Sequence, residues 1–252
     1  DHRDLDVTEQ SAFGLVGMAS QRQAERSLMR VVVELSGQEL TGGRWSLRLQ
    51  GQSRRVDAWI ADFQLDTWPW PAFLNHVDRA NLVGPPATAQ GVMAVGAMTA
   101  RSAWTDAQGQ LHAVEEWPGA KTPFSPPGPS RDGRLKPDLL APGLDVASSL
   151  SADSDPGSPE SIFYSGGDLS RVLPGGRHAI ASGTSMAAPY VAGLSALLYE
   201  SHPGLTGVQL RQHLIAAARR DLGGGTDSGH GVVSAPLSLR AAEGEGAQAF
   251  DP

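Results

Sequence analysis

The stretch that most constrains this chain is residues 182–193, with the sequence SGTSMAAPYVAG. Residues 186–200 carry almost no charge, which predicts a buried helix, and Gly183 predicts a tight turn before it. A serine at such a turn has its hydroxyl exposed at the positive end of the helix dipole, and its N–H points toward an oxyanion formed there. The pattern therefore marks Ser185 as a candidate nucleophile, with ordinary helix capping by the hydroxyl residues of the turn as the alternative.

Residues 183–193 closely resemble the serine signature of the subtilisin-like protease (subtilase) family. Two further stretches occur in the family's order: residues 87–97 resemble one of its buried strands, and residues 124–143 resemble its FSxxGP…KPDxxAPG segment. The resemblance covers residues 87–234 and implies an α/β fold, here the serine-bearing half of a subtilisin-like parallel sheet. It also implies that Pro-set turns position the loop before the serine. Its functional implication is a serine endopeptidase that forms an acyl-enzyme on Ser185.

In a Ser-His-Asp enzyme of this family the aspartate and the histidine precede the serine, and an oxyanion-hole asparagine lies between histidine and serine. The chain contains none of those three motifs, and its seven histidines stand in unrelated contexts, His178 and His230 among them. We expect the three groups to lie before residue 1, so the missing N-terminal portion of the catalytic domain is the expected partner. The chain alone is then expected to be inactive. A pseudoprotease or binding scaffold that keeps the serine half is the alternative.

The N-terminal part has the alternation of a half-buried antiparallel sheet. Residues 29–35 are rich in Val, and Trp45, Leu47 and Leu49 alternate with polar residues. These residues, with Trp59 as a second core tryptophan, predict a β-sandwich and resemble the jelly-roll insert of some bacterial family members. The predicted domains are a jelly-roll-like insert over residues 1–75, the C-terminal part of the catalytic domain over 76–240 and a flexible tail over 241–252.

Residues 151–176 are rich in Ser, Asp, Gly and Pro, which predicts a surface loop. Its carboxylates Asp153, Asp155 and Asp168 are candidate calcium ligands, but their spacing matches no EF-hand. A solvated loop is therefore favoured, and no cofactor is predicted.

The segment after residue 200 predicts a second helix. Pro203 and Gly204 break the preceding helix, and Thr206 with Gln209 three residues later is the signature of a capping box. The apolar stripe of the second helix is expected to comprise Val208, Leu210, Leu214 and Ile215.

Composition narrows the classes of partner. The net charge of -7, without a cluster of Lys and Arg interleaved with aromatics, disfavours nucleic acid. The absence of cysteine excludes a thiolate zinc site and a cysteine nucleophile. No run approaches the roughly 18 apolar residues that a membrane-spanning helix needs.

The expected substrate is a polypeptide, and the family resemblance implies a secreted or cell-envelope bacterial protein. A carbohydrate- or protein-binding role for the sandwich is the weakest alternative, because its tryptophans alternate into a core.

Overall fold

The structure is a computed structural model that describes residues 15–23, 28–36, 58–60, 72–164, 166–222 and 224–245. The chain divides into two compact units, Asp1–Ala72 and Phe73–Pro252. The three domains expected from the sequence stay predictions.

Within its described residues, the first unit contains an antiparallel pair of strands, β1 (Leu15–Gln23) and β2 (Leu28–Ser36). The predicted strand at 29–35 is confirmed and is one residue longer at each end. The prediction that Trp59 lies in a core is wrong, because its side chain is 48% exposed. Residues 58–60 also form no strand, so the alternation of a pleated sheet does not apply to Trp59. Trp45, Leu47 and Leu49 lie outside the described residues, so the jelly-roll insert stays a prediction.

The second unit is built on a parallel pair of strands, β3 (Val95–Thr99) and β6 (Leu139–Leu144), in which Ala97 lies opposite Ala141. The buried strand expected at 91–97 is confirmed, although it begins later and runs to Thr99. Of the prolines that the resemblance implies to set turns before the serine, Pro142 does not set one, since it lies within β6. Leu139, Leu140 and Ala141 are fully buried, and this apolar run favours a strand between packed layers.

The described residues of this unit also contain two antiparallel pairs of strands. Between β3 and β6 lie β4 (Ala103–Thr105) and β5 (Leu111–Ala113), and after β6 come β7 (Val146–Ser149) and β8 (His178–Ala181). The described part of the loop expected at 151–176 contains turns and one isolated bridge, which confirms that prediction.

The helix α1 (Thr184–Ser201) confirms the predicted helix. Its buried residues are spaced by four, three and four positions and form one face that packs on β3 and β6: Ala187, Val191, Leu194 and Leu198. The expectation that its other faces are buried too is wrong. Tyr190 is 41% exposed and Leu197 is 50% exposed, so the buried face of α1 does not include them.

The capping box of Thr206 and Gln209 is confirmed at the start of α2 (Gly207–Ala216). Val208 is exposed and does not belong to the buried stripe of α2. A short 3-10 helix follows at Arg220–Leu222, and α3 spans Ala235–Glu245. The last residues of α3 fall within the predicted tail at 241–252, which stays a prediction.

Candidate active site

The candidate nucleophile lies where β8 ends and α1 begins. Ser182 and Gly183 connect the two elements, and Ser185 is the second residue of α1. The side chain of Ser185 is exposed. Within the part of the chain that the structure describes, neither its hydroxyl nor its backbone N–H has a hydrogen-bond partner. This arrangement suits a nucleophile beside an oxyanion donor at a helix N-terminus, and the catalytic role of Ser185 stays a prediction.

Gly183 gives this turn its shape. Its φ of 154° and ψ of 160° lie in a region that only glycine populates readily. The N–H of Gly183 donates to the carbonyl of Gly143 at 2.7 Å, and its own carbonyl accepts from the N–H of Met186 at 3.0 Å. Glycine before the helix is therefore required by the backbone conformation of the turn.

The corner between β6 and β7, residues 143–145, lies against this turn and holds it in place. A Cβ on Gly143 would lie 2.5 Å from the Cβ of Ala97 and 3.0 Å from the carbonyl oxygen of Gly183, so only glycine lets these segments meet. Two residues further, Asp145 hydrogen-bonds to Ser182. The expectation that the segment ending at Gly143 positions the loop before the serine is confirmed by these contacts.

None of the histidines in the described residues is hydrogen-bonded to Ser185. His178 is exposed on β8, and the backbone N–H of His230 donates to a carbonyl at the start of β6. His213 is buried, and its ring bonds to a carbonyl of α3. His2 lies outside the described residues. The described part of the chain thus supplies no hydrogen-bonded base to Ser185.

One histidine has a carboxylate partner. The Nε2 atom of His112 lies 2.7 Å from Oδ2 of Asp106, and this hydrogen bond is the main cause that lowers the pKa of the buried Asp106. The other carboxylate oxygen accepts from the backbone N–H of Gln110 at 2.9 Å. Trp104 stacks on His112, and its indole N–H donates to the carbonyl of Ser170 at 3.0 Å. The Asp106–His112 pair therefore closes the β4–β5 turn, and Trp104 anchors this hairpin to the loop before β8.

A buried ion-pair network lies at the start of β6. Nζ of Lys136 donates to Oδ2 of Asp138 at 2.6 Å and to the carbonyl of Val92 at 2.7 Å. The same Oδ2 accepts from the N–H of Ala94 at 2.7 Å, and Oδ1 accepts from the guanidinium of Arg211. Burial acts to raise the pKa of Asp138, but these hydrogen bonds outweigh it and hold the pKa below its usual value. The network ties the beginnings of β3 and β6 to α2.

The candidate calcium ligands do not converge in the structure. Asp155 accepts from the N–H of Gly157 at 3.1 Å, and Asp168 accepts from the N–H of Ser170 at 3.0 Å, so both carboxylates form local turns. Among the described residues, no group of three or more His, Asp or Glu side chains is arranged to hold a metal ion. Calcium binding therefore has no support from these carboxylates.

The parallel strands β3 and β6 with α1 packed on them define an α/β protein, in which a glycine turn precedes an exposed serine at the start of α1. The subtilase family pattern matches residues 74–234, and the chain therefore belongs to the subtilase family of serine proteases.

Similarity to known relatives is confined to parts of each chain. Alkaline elastase YaB of Bacillus sp. (strain YaB) is 39% identical over 79 residues, which cover 31% of this chain and 21% of that protein. Subtilisin of Bacillus pumilus is 34% identical over 99 residues, covering 39% of this chain and 36% of that protein. Fervidolysin from Fervidobacterium pennivorans, a keratinolytic enzyme related to subtilisin, has a structure that is 27% identical with a TM-score of 0.41, covering 62% of this chain and 20% of that chain. The chain thus spans about a third or less of these relatives.

Sequence reasoning missed the side chains that hold the site together. Lys136 and Asp138 stand only two residues apart, so proximity in the sequence was a local signal for their pairing. The hydrogen bond between Asp145 and Ser182 joins residues 37 positions apart, and no local signal in the sequence predicts it.

Proposed function

We propose that Ser185 is the nucleophile of a serine endopeptidase of the subtilisin type. Its Oγ adds to the scissile carbonyl carbon of a polypeptide while a histidine base takes the hydroxyl proton. The C–N bond then breaks, the amine leaves with that proton, and water hydrolyses the acyl-enzyme. The N–H of Ser185 donates to the oxyanion. The observation that carries the proposal is the exposed hydroxyl of Ser185 beside an N–H without a partner in the described residues.

The histidine base, its aspartate and the oxyanion-hole asparagine come, in this proposal, from a part of the catalytic domain outside this chain. Two observations support it. The described residues give Ser185 no hydrogen-bonded base. Tyr190 and Leu197 on α1 are large, half-exposed side chains of the kind that a complete domain covers. The chain alone is then inactive, since a serine without its base is a weak nucleophile at neutral pH.

The proposed organisation places a jelly-roll-like insert at residues 1–75 and the C-terminal part of the catalytic domain at 76–240. The start of the family match at residue 74 and the antiparallel pairing of β1 with β2 support this division. The protein is, in this proposal, secreted by a bacterium or located in its cell envelope, as the family resemblance implies. Among the described residues, no helix is both long and apolar enough to cross a membrane.

The test compares three forms of the full-length protein that contains this chain: wild type, Ser185→Ala and Ser201→Ala. Ser201 ends the same helix and is exposed, so its substitution is a matched control. Ser185→Ala removes only the nucleophilic oxygen and is expected to lower kcat on a casein-derived peptide by about a millionfold. That magnitude is the loss observed in subtilisin itself. Ser201→Ala is expected to retain wild-type activity.

A wild-type protein that folds but hydrolyses no peptide would contradict the proposal and favour the pseudoprotease or binding scaffold. Peptide hydrolysis that survives in Ser185→Ala would move the active site to another residue. Unfolding curves of all three forms separate a loss of chemistry from a loss of fold.

A further inference from the structure

Asp145 and Ser182 form a reciprocal pair of hydrogen bonds beside the candidate nucleophile. The backbone N–H of Asp145 donates to Oγ of Ser182 at 2.9 Å, and this hydroxyl donates to Oδ1 of Asp145 at 3.1 Å. The two bonds join the corner between β6 and β7 to the end of β8. They use the Ser182 hydroxyl both as acceptor and as donor, so its orientation is fixed.

The conformation of Asp145 is unusual for a residue with a side chain. Its φ is 55°, in the left-handed region, and the residue is only 8% exposed. Asparagine, aspartate and glycine adopt this region most readily, but a non-glycine residue stays there only where the surrounding structure holds it. Glycine would satisfy the backbone at this corner without burying a carboxylate. The carboxylate must therefore contribute through its contact, and its contact in the described residues is Ser182.

The contact acts on the turn that presents the candidate nucleophile. Ser182 stands three residues before Ser185, and the next residue, Gly183, donates its N–H to the carbonyl of Gly143 at 2.7 Å. The corner at residues 143–145 thus holds the turn through three hydrogen bonds. Two of them involve Asp145, one through its backbone and one through its carboxylate.

We propose that Asp145 is a positioning residue that sets the orientation of the Ser185 hydroxyl through Ser182, without touching substrate. The inference rests on the proposed function of Ser185. Loss of the carboxylate leaves the Ser182 hydroxyl with the Asp145 N–H as its remaining partner and lets the turn shift relative to the corner. A displacement of about 1 Å at a reacting atom lowers the rate on the order of 100-fold.

The test uses the full-length protein and measures kcat, KM, the rate at which a fluorophosphonate probe labels Ser185, and the unfolding midpoint. Asp145→Ala and Ser182→Ala each break the pair, and both are expected to lower kcat and the labelling rate by about 10- to 100-fold, with KM changed less than about twofold. The double variant is expected to be no slower than Ser182→Ala, because Ser182→Ala already removes the hydrogen bond that Asp145→Ala breaks. Asp145→Asn keeps an oxygen acceptor and the left-handed preference, and it is expected to recover most of the rate. Asp153→Ala removes an exposed loop carboxylate and is the matched control.

Three outcomes overturn the inference. Asp145→Ala with wild-type kcat and labelling shows that the contact does not position the nucleophile. Equal losses of kcat in Asp145→Asn and Asp145→Ala, with matching falls in their unfolding midpoints, show a purely structural role. A folded wild-type protein that the probe does not label at Ser185 refutes the proposed function, and the inference falls with it.

Discussion

Replacing Asp138 by asparagine removes a charge from a side chain that water does not reach. The carboxylate is fully buried, and its partner Lys136 is 3% exposed. The guanidinium of Arg211, the third member, is 39% exposed and stays hydrated in the variant. The ammonium of Lys136 is buried and does not become hydrated in the variant. Its other hydrogen-bond acceptor, the carbonyl of Val92, carries no charge. The variant therefore leaves a buried, uncompensated positive charge.

Breaking a buried ion pair in this way costs about 3–5 kcal/mol of the free energy of unfolding. For a domain of this size the corresponding fall in the unfolding midpoint is on the order of 10 °C. Asp132→Asn is the matched control, because Asp132 also pairs with an arginine, Arg134, but both side chains are about one-third exposed. Water and salt screen such a pair, so only a small shift is expected.

The assay is thermal unfolding of the full-length protein at pH 7, followed by circular dichroism. Adding Lys136→Met to Asp138→Asn removes the uncompensated charge and is expected to restore part of the lost stability. A fall in Asp138→Asn no larger than in Asp132→Asn would refute the account of the network. So would a double variant less stable than Asp138→Asn, because the penalty would then not come from the ammonium of Lys136.

The pH dependence of the same network gives a second prediction. The pKa of Asp138 is lower in the folded chain than its unfolded value of about 3.9, so its stabilisation is present above that value and is lost as pH falls through the folded pKa. The stability difference between wild type and Asp138→Asn is thus expected to shrink below pH 4, and a difference that grows there would contradict the sign. A third prediction concerns α1: Leu198→Ala, at a fully buried position, costs about 2–5 kcal/mol, whereas Val208→Ala, at an exposed position of α2, changes stability by less than about 0.5 kcal/mol. Equal losses in denaturant titrations would contradict the packing of Leu198 in the core.

Local signals predicted the elements around the site well. The turn at Gly183, the helix that starts with Thr184 and the capping box at Thr206 each depend on residues within a few positions of one another. Their backbone geometry follows from glycine conformation, side-chain capping and the lack of charge in the helix.

The sequence did not predict which side of α1 is buried. Alanine, glycine and leucine occur all round this helix, so apolar periodicity gives little contrast between a packed and an exposed face. Long-range pairs were also invisible. Arg211 reaches Asp138 over 73 positions and Asp145 reaches Ser182 over 37, and no spacing rule connects such residues. Tertiary packing alone brings them together.

The central claim is that Ser185 is a nucleophile whose base is supplied from outside this chain. The most direct measurement is labelling by a fluorophosphonate probe, with the modified residue identified by mass spectrometry, in the full-length protein and in residues 1–252 alone. The account predicts stoichiometric labelling of Ser185 in the full-length protein and no labelling of residues 1–252. Absence of label from Ser185 in the active full-length protein would contradict its role as nucleophile, and stoichiometric labelling of residues 1–252 would show that a histidine within this chain serves as the base.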